Sequence, residues 1–451
     1  MAVTQNPMKK SMLLVRRRGE RGQTIILVAI SLLSLLAMAA LAIDVVTLYV
    51  ARTEIQRAAD AAALAAAKAM ADSGITTLPT SDPAFSSGQA QTLAQSMANS
   101  AIAAVLAAPN NQVGGFTVAP GSPTFNFSTS AGGTPINNPH VTVTLQQSGL
   151  PTFFAHIWGT RSATASASAT AEAYNSANTS SFTPVAPKGV KPWLVANIDP
   201  QTSQPFVNPA TGAVESGVIA NVDFWLTADC QPGHHRCHLA TGTNPPGLIG
   251  TPPQEVQYVP AEVTANGANV CPSSCAGAGG DYEASIQCTD MNAYSCGGGS
   301  PNAQWDRTDL INPVGPPSSA AHTTDGVECL IHAGGTGTNQ GQDSIGWGLW
   351  PASPIQMTSA ASTNTVNTSS SLVAIPIIDV TTPGAFSPAG PVTVIGFLQA
   401  FVEQINTNLN PNDIQIKVVN VVGCSQTSNG APTIQGGNTS SPIPVRLITP
   451  P

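Results

Sequence analysis

The chain has 451 residues and a net charge of −8, with only 9% Asp, Glu, Lys and Arg, against ~25% in an average soluble protein. That length implies more than one domain, and the acidic balance excludes a basic footprint for nucleic acid. With 40 Gly and 38 Pro, the composition suits an exported, turn-rich β protein better than a cytosolic enzyme.

Residues 1–23 form a cytoplasmic basic segment: Lys9, Lys10, Arg16, Arg17, Arg18 and Arg21 oppose Glu20 alone. Residues 24–43 follow, and seventeen of these twenty are Ala, Val, Ile, Leu or Met, with none charged. At 1.5 Å per residue they make ~30 Å of helix, the thickness of a bilayer's hydrocarbon core. The positive-inside rule then puts the N-terminus in the cytoplasm and everything from about residue 44 outside. The competing reading is a cleaved signal peptide, with small-x-small sites at Ala37-Met38-Ala39 and Ala40-Leu41-Ala42. Against it, the apolar run exceeds the ~7–15 residues of an h-region, and strongly helical sequence follows.

Residues 44–72 contain no Gly or Pro and hold ten Ala between 58 and 71. Ala is the best helix former, so the membrane helix is expected to continue as an Ala-rich stalk until Ser73-Gly74, with Gly as the C-cap. Leu41, Leu48, Ile55, Ala62 and Ala69 recur every seven residues. This stripe reads equally as a surface for a partner helix and as a face packed on its own domain. A second helix is expected at 89–107, with Leu93, Met97, Ala101, Ala104 and Ala108 as its apolar face. Val141, Val143 and Leu145 then alternate with Thr, as in a half-buried strand, and 162–173 alternate Ala with Ser, Thr or Glu. The aromatic cluster Phe153-Phe154-Ala155-His156-Ile157-Trp158-Gly159 between them reads as a local core plug. Residues 44–174 are thus read as a helical stalk with a small β region.

Residues 175–192 have linker composition, and 193–451 read as a β-rich, Cys-containing extracytoplasmic domain. Within it, 371–380 and 414–422 read as strands, and 392–405 fit strand or helix. The fold class is α+β: one N-terminal transmembrane helix, its Ala-rich extension, and a mostly β, disulfide-containing region.

The basic patch, Arg21-Gly22-Gln23, the apolar run, Ala42-Ile43-Asp44-Val45 and the run Gln56-Arg57-Ala58-Ala59-Asp60-Ala61-Ala62-Ala63-Leu64-Ala65 resemble the N-terminus of TadG-like proteins. Those proteins belong to the bacterial tight-adherence (Tad/Flp) pilus-assembly system. The resemblance implies a single-pass protein of the bacterial inner membrane that helps to assemble or anchor a pilus or secretion apparatus. Its implied partners are pilus-assembly or secretion proteins, or a second copy of the chain. Pilin-like relatives are cut after a Gly and carry Glu five residues later. Here Gly22 and Gln23 occupy the processing positions, but the fifth residue is Leu27. An unpaired charge in an apolar environment is costly, so loss of that carboxylate argues against both processing at Gly22 and a place in a filament shaft. The Asp-x-Ser-x-Ser metal motif of some longer relatives has no match, since Asp379-Val380-Thr381-Thr382 does not fit it.

All eight cysteines (Cys230, Cys237, Cys271, Cys275, Cys288, Cys296, Cys329 and Cys424) lie on the expected outer side, which favours disulfides. Cys230, His234, His235, Cys237 and His238 crowd into nine residues, yet their spacing is not that of a standard zinc site. No nucleophile elbow or H-E-x-x-H motif is present, so no catalytic residue, cofactor or resident metal is expected. The alternatives are an exported enzyme or metal-binding protein with an N-terminal targeting segment, and a surface adhesin.

Overall fold

The computed structural model describes residues 20–78, 83–113, 118–119, 121–127, 138–155, 159, 162–178, 185–215, 224–228, 247–249, 255–261, 271, 280–296, 304–305, 319–331, 341–346, 356–359, 366–383, 392–406, 413–424, 434–435 and 441–448. A long apolar N-terminal helix leads into a mostly β region that carries disulfides.

The first helix, α1 (Glu20–Asp72), runs unbroken for 53 residues. Most apolar side chains up to Val50 point outward, and Ile25, Leu33 and Met38 are each more than two-thirds exposed, while Ala40 is buried. From Ala51 onward one side is buried. The helix stops where Gly74 takes φ 78°, a left-handed conformation that glycine adopts without steric cost.

The second helix, α2 (Gln89–Ala107), packs beside α1. It buries Ala90, Ala94, Ala98, Ile102 and Leu106, not the expected Leu93, Met97, Ala101, Ala104 and Ala108. Alanines at every fourth position let its backbone approach Ala58, Ala59, Ala62, Ala63, Ala66 and Ala67 of α1, all buried. The bulkier Leu93 and Met97 stay half-buried on the flank.

The main strands are β1 (Thr124–Asn126), β2 (His140–Pro151), β3 (Ser162–Ala173), β4 (Trp193–Ala196), β5 (Phe224–Ala228), β6 (Glu255–Pro260), β7 (Leu372–Ile378), β8 (Val392–Asn406), β9 (Asp413–Gly423) and β10 (Val445–Ile448). The segment ambiguous between helix and strand, 392–405, is therefore a strand, and it pairs with β7 on one side and β9 on the other.

A four-stranded antiparallel sheet in the order β1-β2-β3-β10 lies against α1. Val141, Val143 and Leu145 bury the inner face of β2, as their alternation predicts. The strand β10 comes from the far end of the chain and is locked by Arg446 Nε donating to Glu172 Oε2 at 2.7 Å.

The second sheet follows the order β7-β4-β6-β5-β9-β8, and β8 pairs back to β7. Six strands thus close into a barrel, which leaves no edge within the ring. Val373, Ile375 and Ile377 of β7 and Leu398, Ala400 and Val402 of β8 enter one buried cluster with Trp193, Leu226 and Tyr258. Two helices, α3 (Gly280–Gln287) and α4 (Ser319–Ile331), add Tyr282, Ile286, Val327 and Leu330 to it.

The segment 175–192 is not a free linker where it is described. Asn175, Ser176, Val185, Ala186, Val190 and Lys191 are buried. Asn175 Nδ2 donates to the Val421 carbonyl at 3.0 Å, and Lys191 Nζ donates to the carbonyls of Ile286 (2.6 Å) and Cys288 (2.8 Å) at the end of α3. Its polar, turn-rich composition misleads because the polar groups named above serve buried backbone, not water. Burial lowers the Lys191 pKa to about 7, although Asp290 opposes that shift.

Candidate functional site on the N-terminal helix

Among the described residues, α1 is the one helix long and apolar enough to cross a membrane, and 6% of its most apolar window is buried. Between Gln23 and Ala51 the sequence holds one charged residue, Asp44. That residue is covered. The Asp44 carboxylate accepts backbone N–H bonds from Phe153 (Oδ1, 2.9 Å), Phe154 (Oδ2, 3.0 Å) and Ala155 (Oδ2, 2.6 Å). These three amides lie at the tip of the β2–β3 hairpin. Carboxylate and loop solve each other's problem: three otherwise open donors neutralise a charge amid apolar side chains.

The hairpin reaches this point because it runs along α1. Gln56 Nε2 donates to the Ser168 carbonyl at 3.2 Å. Gln56 lies twelve residues beyond Asp44, or ~18 Å along the helix. Six residues of strand from Ser168 to Ser162 cover ~20 Å, so the tip arrives level with Asp44. Phe153, expected in a core plug, is instead 61% exposed. At Phe153, Asp44 draws the loop backbone onto the helix and leaves the ring outside. His156, Ile157 and Trp158 lie outside the described residues. Beside the loop is an open groove of ≈ 310 Å³, lined by Val46, Val50, Ala51, Leu150, Pro151 and Phe153.

The seven-residue stripe divides along the helix. Leu41 is 53% exposed, Leu48 is partly buried, and Ile55 is fully buried in the cluster shared with α2 and the first sheet. At Ile55 the stripe packs on its own domain. Beyond it the buried pairs Ala58/Ala59, Ala62/Ala63 and Ala66/Ala67 repeat every four residues, while Ala69 is half-buried. A strict heptad drifts ~20° per repeat on a straight helix, which carries the stripe off the buried face.

The far end of α1 is pinned to the barrel by Asn420 of β9, which is fully buried. Its Nδ2 donates to the Ala71 carbonyl (2.7 Å) and to Gln399 Oε1 (2.6 Å). Its Oδ1 accepts from Thr76 and Thr77 Oγ1, both at 2.9 Å. One amide therefore satisfies a helix-end carbonyl and the turn after it. Reading the sequence for catalytic motifs missed both Asp44 and Asn420 as structural devices. The available signals were a lone acid in an apolar run and a lone Asn inside Val418-Val419-Asn420-Val421-Val422.

Gly22 and Gln23 lie exposed in the first turns of α1. Cys271 pairs with Cys288 and Cys296 with Cys424, and Cys329 is also disulfide-bonded. Cys230, Cys237, Cys275 and the metal-ligand candidates His234, His235 and His238 lie outside the described residues. Among the described residues no group of His, Cys, Asp or Glu has the arrangement of a metal site. Asp379 closes a local turn, its Oδ1 accepting from the Thr381 and Thr382 amides at 3.0 Å.

At the barrel rim, Thr227 Oγ1 lies 2.7 Å from both Asp413 Oδ1 and Glu255 Oε2. One hydroxyl proton serves one carboxylate only, so the other bond needs a protonated acid. Burial, with the Glu255 charge adding to it, raises the Asp413 pKa to about 6 despite the Thr227 bond. An acid whose folded pKa is raised gives stability that is present at low pH and lost as pH climbs from 3.8 through 6. Asp413→Asn is accordingly expected to exceed the wild type by about 1 kcal/mol at pH 7.5, allowing for solvent screening, with the gap closing toward pH 4. Unfolding midpoints across that range measure it, and a pH-independent gap would refute the shared-proton arrangement.

The helix that carries these features also carries the family likeness. Residues 22–69 match the family model described as Flp pilus-assembly TadE/G-like. This TadE/G-like segment holds the exposed apolar length, Asp44 and most of the alanine face, and it ends just before the Asn420 pin. Comparison with curated proteins and with solved structures gave no match.

Proposed function

We propose that the chain is a membrane-anchored structural component, not an enzyme, that assists assembly or anchoring of a Tad/Flp-type pilus or secretion apparatus. Its N-terminus lies in the cytoplasm and α1 crosses the inner membrane. The barrel and first sheet stand on the outer side, where disulfides persist. One observation carries this reading: the TadE/G-like match coincides with α1, a helix whose large apolar side chains from Ile25 to Ile43 are exposed and whose second half is built into the fold. A helix of that kind ties an outer body to a membrane. Three mutually supporting contacts make the tie stiff: the Asp44 clamp, the alanine interface and the Asn420 pin. Leu27, where pilin-like relatives carry Glu, fits a role beside the filament, not in its shaft.

The test is whether a chain released from the membrane supports piliation. Cells whose only copy begins at Asp44 behind a cleavable signal sequence are expected to lack Flp-type pili. Normal pili from such cells would contradict the proposal.

A further inference from the structure

We infer that the β2–β3 hairpin tip is a second membrane contact, with Phe153 seated in the outer leaflet at the junction of acyl chains and headgroups. This rests on α1 spanning the membrane. If residues 24–43 fill the ~30 Å hydrocarbon core, Asp44 lies at its outer boundary. The exposed apolar surface does not end there. Val45, Val46 and Tyr49 are each more than half exposed, Val50 is 48% exposed, and the next charged residue is Arg52. Seven further residues add ~10 Å of helix, enough to cross the ~5–8 Å headgroup layer on that side.

Asp44 is the one charge within this stretch, and it is the residue that the hairpin covers, through the backbone amides of Phe153, Phe154 and Ala155. In water such a carboxylate needs no cover; at a bilayer boundary an uncovered one is costly, as are three open amides. Phe153 projects outward at the same depth, where aromatic side chains concentrate in membrane proteins. The groove between Val46, Val50, Leu150 and Phe153, which Glu54 also lines, opens at this same level, where apolar and charged groups meet at the lipid interface. The hairpin thereby fixes how deep the outer body sits.

The full chain, reconstituted in phosphatidylcholine/phosphatidylglycerol vesicles, tests this with a coumarin amino acid placed at Leu32, Phe153 or Leu447. Leu447 serves as control because it is an exposed Leu on β10, paired with Ala171, nine residues along β3 from the tip and thus ~30 Å from it. Lipids brominated near the headgroup are expected to quench Phe153 about twofold or more. Those brominated deep in the chain should quench it less, Leu32 should be quenched by the deep bromines, and Leu447 by neither. Quenching at Leu32 without quenching at Phe153 overturns the hairpin contact and leaves the anchor standing. Absence of quenching at Leu32 overturns the anchor itself, and the hairpin contact with it. A Phe153 probe shielded from both bromine and aqueous iodide shows a protein partner there, which also overturns the inference.

Discussion

Replacing Asn420 with Ala is expected to loosen the joint between α1 and the barrel by about 3 kcal/mol. The side chain makes four hydrogen bonds, to Ala71, Gln399, Thr76 and Thr77, and is fully buried. Truncation leaves two hydroxyls and an amide oxygen without their partner, each costing roughly 1–3 kcal/mol, partly relieved by rotation or water. Around the helix end, Gly74 N still donates to the Ala71 carbonyl, so that group is not orphaned. Amide exchange at residues 74–78 should therefore quicken by about a hundredfold, with little change in the middle of β8. Unchanged exchange at 74–78 would mean that the pin does not hold the joint.

Gly423→Ala is expected to cost at least about 3 kcal/mol and to reduce folded yield sharply. In the β8–β9 ladder Gly423 sits directly opposite Gly396, and the short hairpin joined at Val207–Val214 crosses above them. A Cβ on Gly423 would collide with the Gly212 carbonyl oxygen and lie 2.5 Å from Val207 Cγ1. A Cβ on Gly396 would lie 2.6 Å from the Val422 carbonyl oxygen. These neighbours are mostly backbone, so no rotamer change relieves the clash. Gly247→Ala meets nothing within 4 Å and should fold as the wild type does. Equal folded yields for both variants would contradict the close crossing.

Local features were the legible ones. The length of α1 follows from its alanines and from the absence of Gly and Pro, its end from Gly74, and β2 from Val141, Val143 and Leu145. What depends on distant pairing was hidden. The Asp44 clamp uses backbone amides 109 to 111 residues away, and backbone amides leave no mark in a sequence. The strand β10 is four residues long and pairs with β3, where Arg446 also meets Glu172 across 274 positions. Polar Asn175 and cationic Lys191 looked like linker residues, yet each is buried against backbone carbonyls of the barrel and its helices. The face of α2 was misjudged for a different reason: close alanine packing prefers the smallest side chains to the most hydrophobic ones.

A stiff outer body on one helix is useful only if the helix stays attached to it, and pilus assembly measures that directly. Flp-type pili are counted by electron microscopy in cells lacking the gene and complemented with the full chain or with the chain from Asp44 onward behind a cleavable signal sequence. Both complementing proteins should be exported and folded, as judged by their disulfides. Pili restored by the full chain alone are the predicted result. Pili restored equally by the released chain, or present at normal numbers without any copy, would contradict a membrane-anchored role in the apparatus.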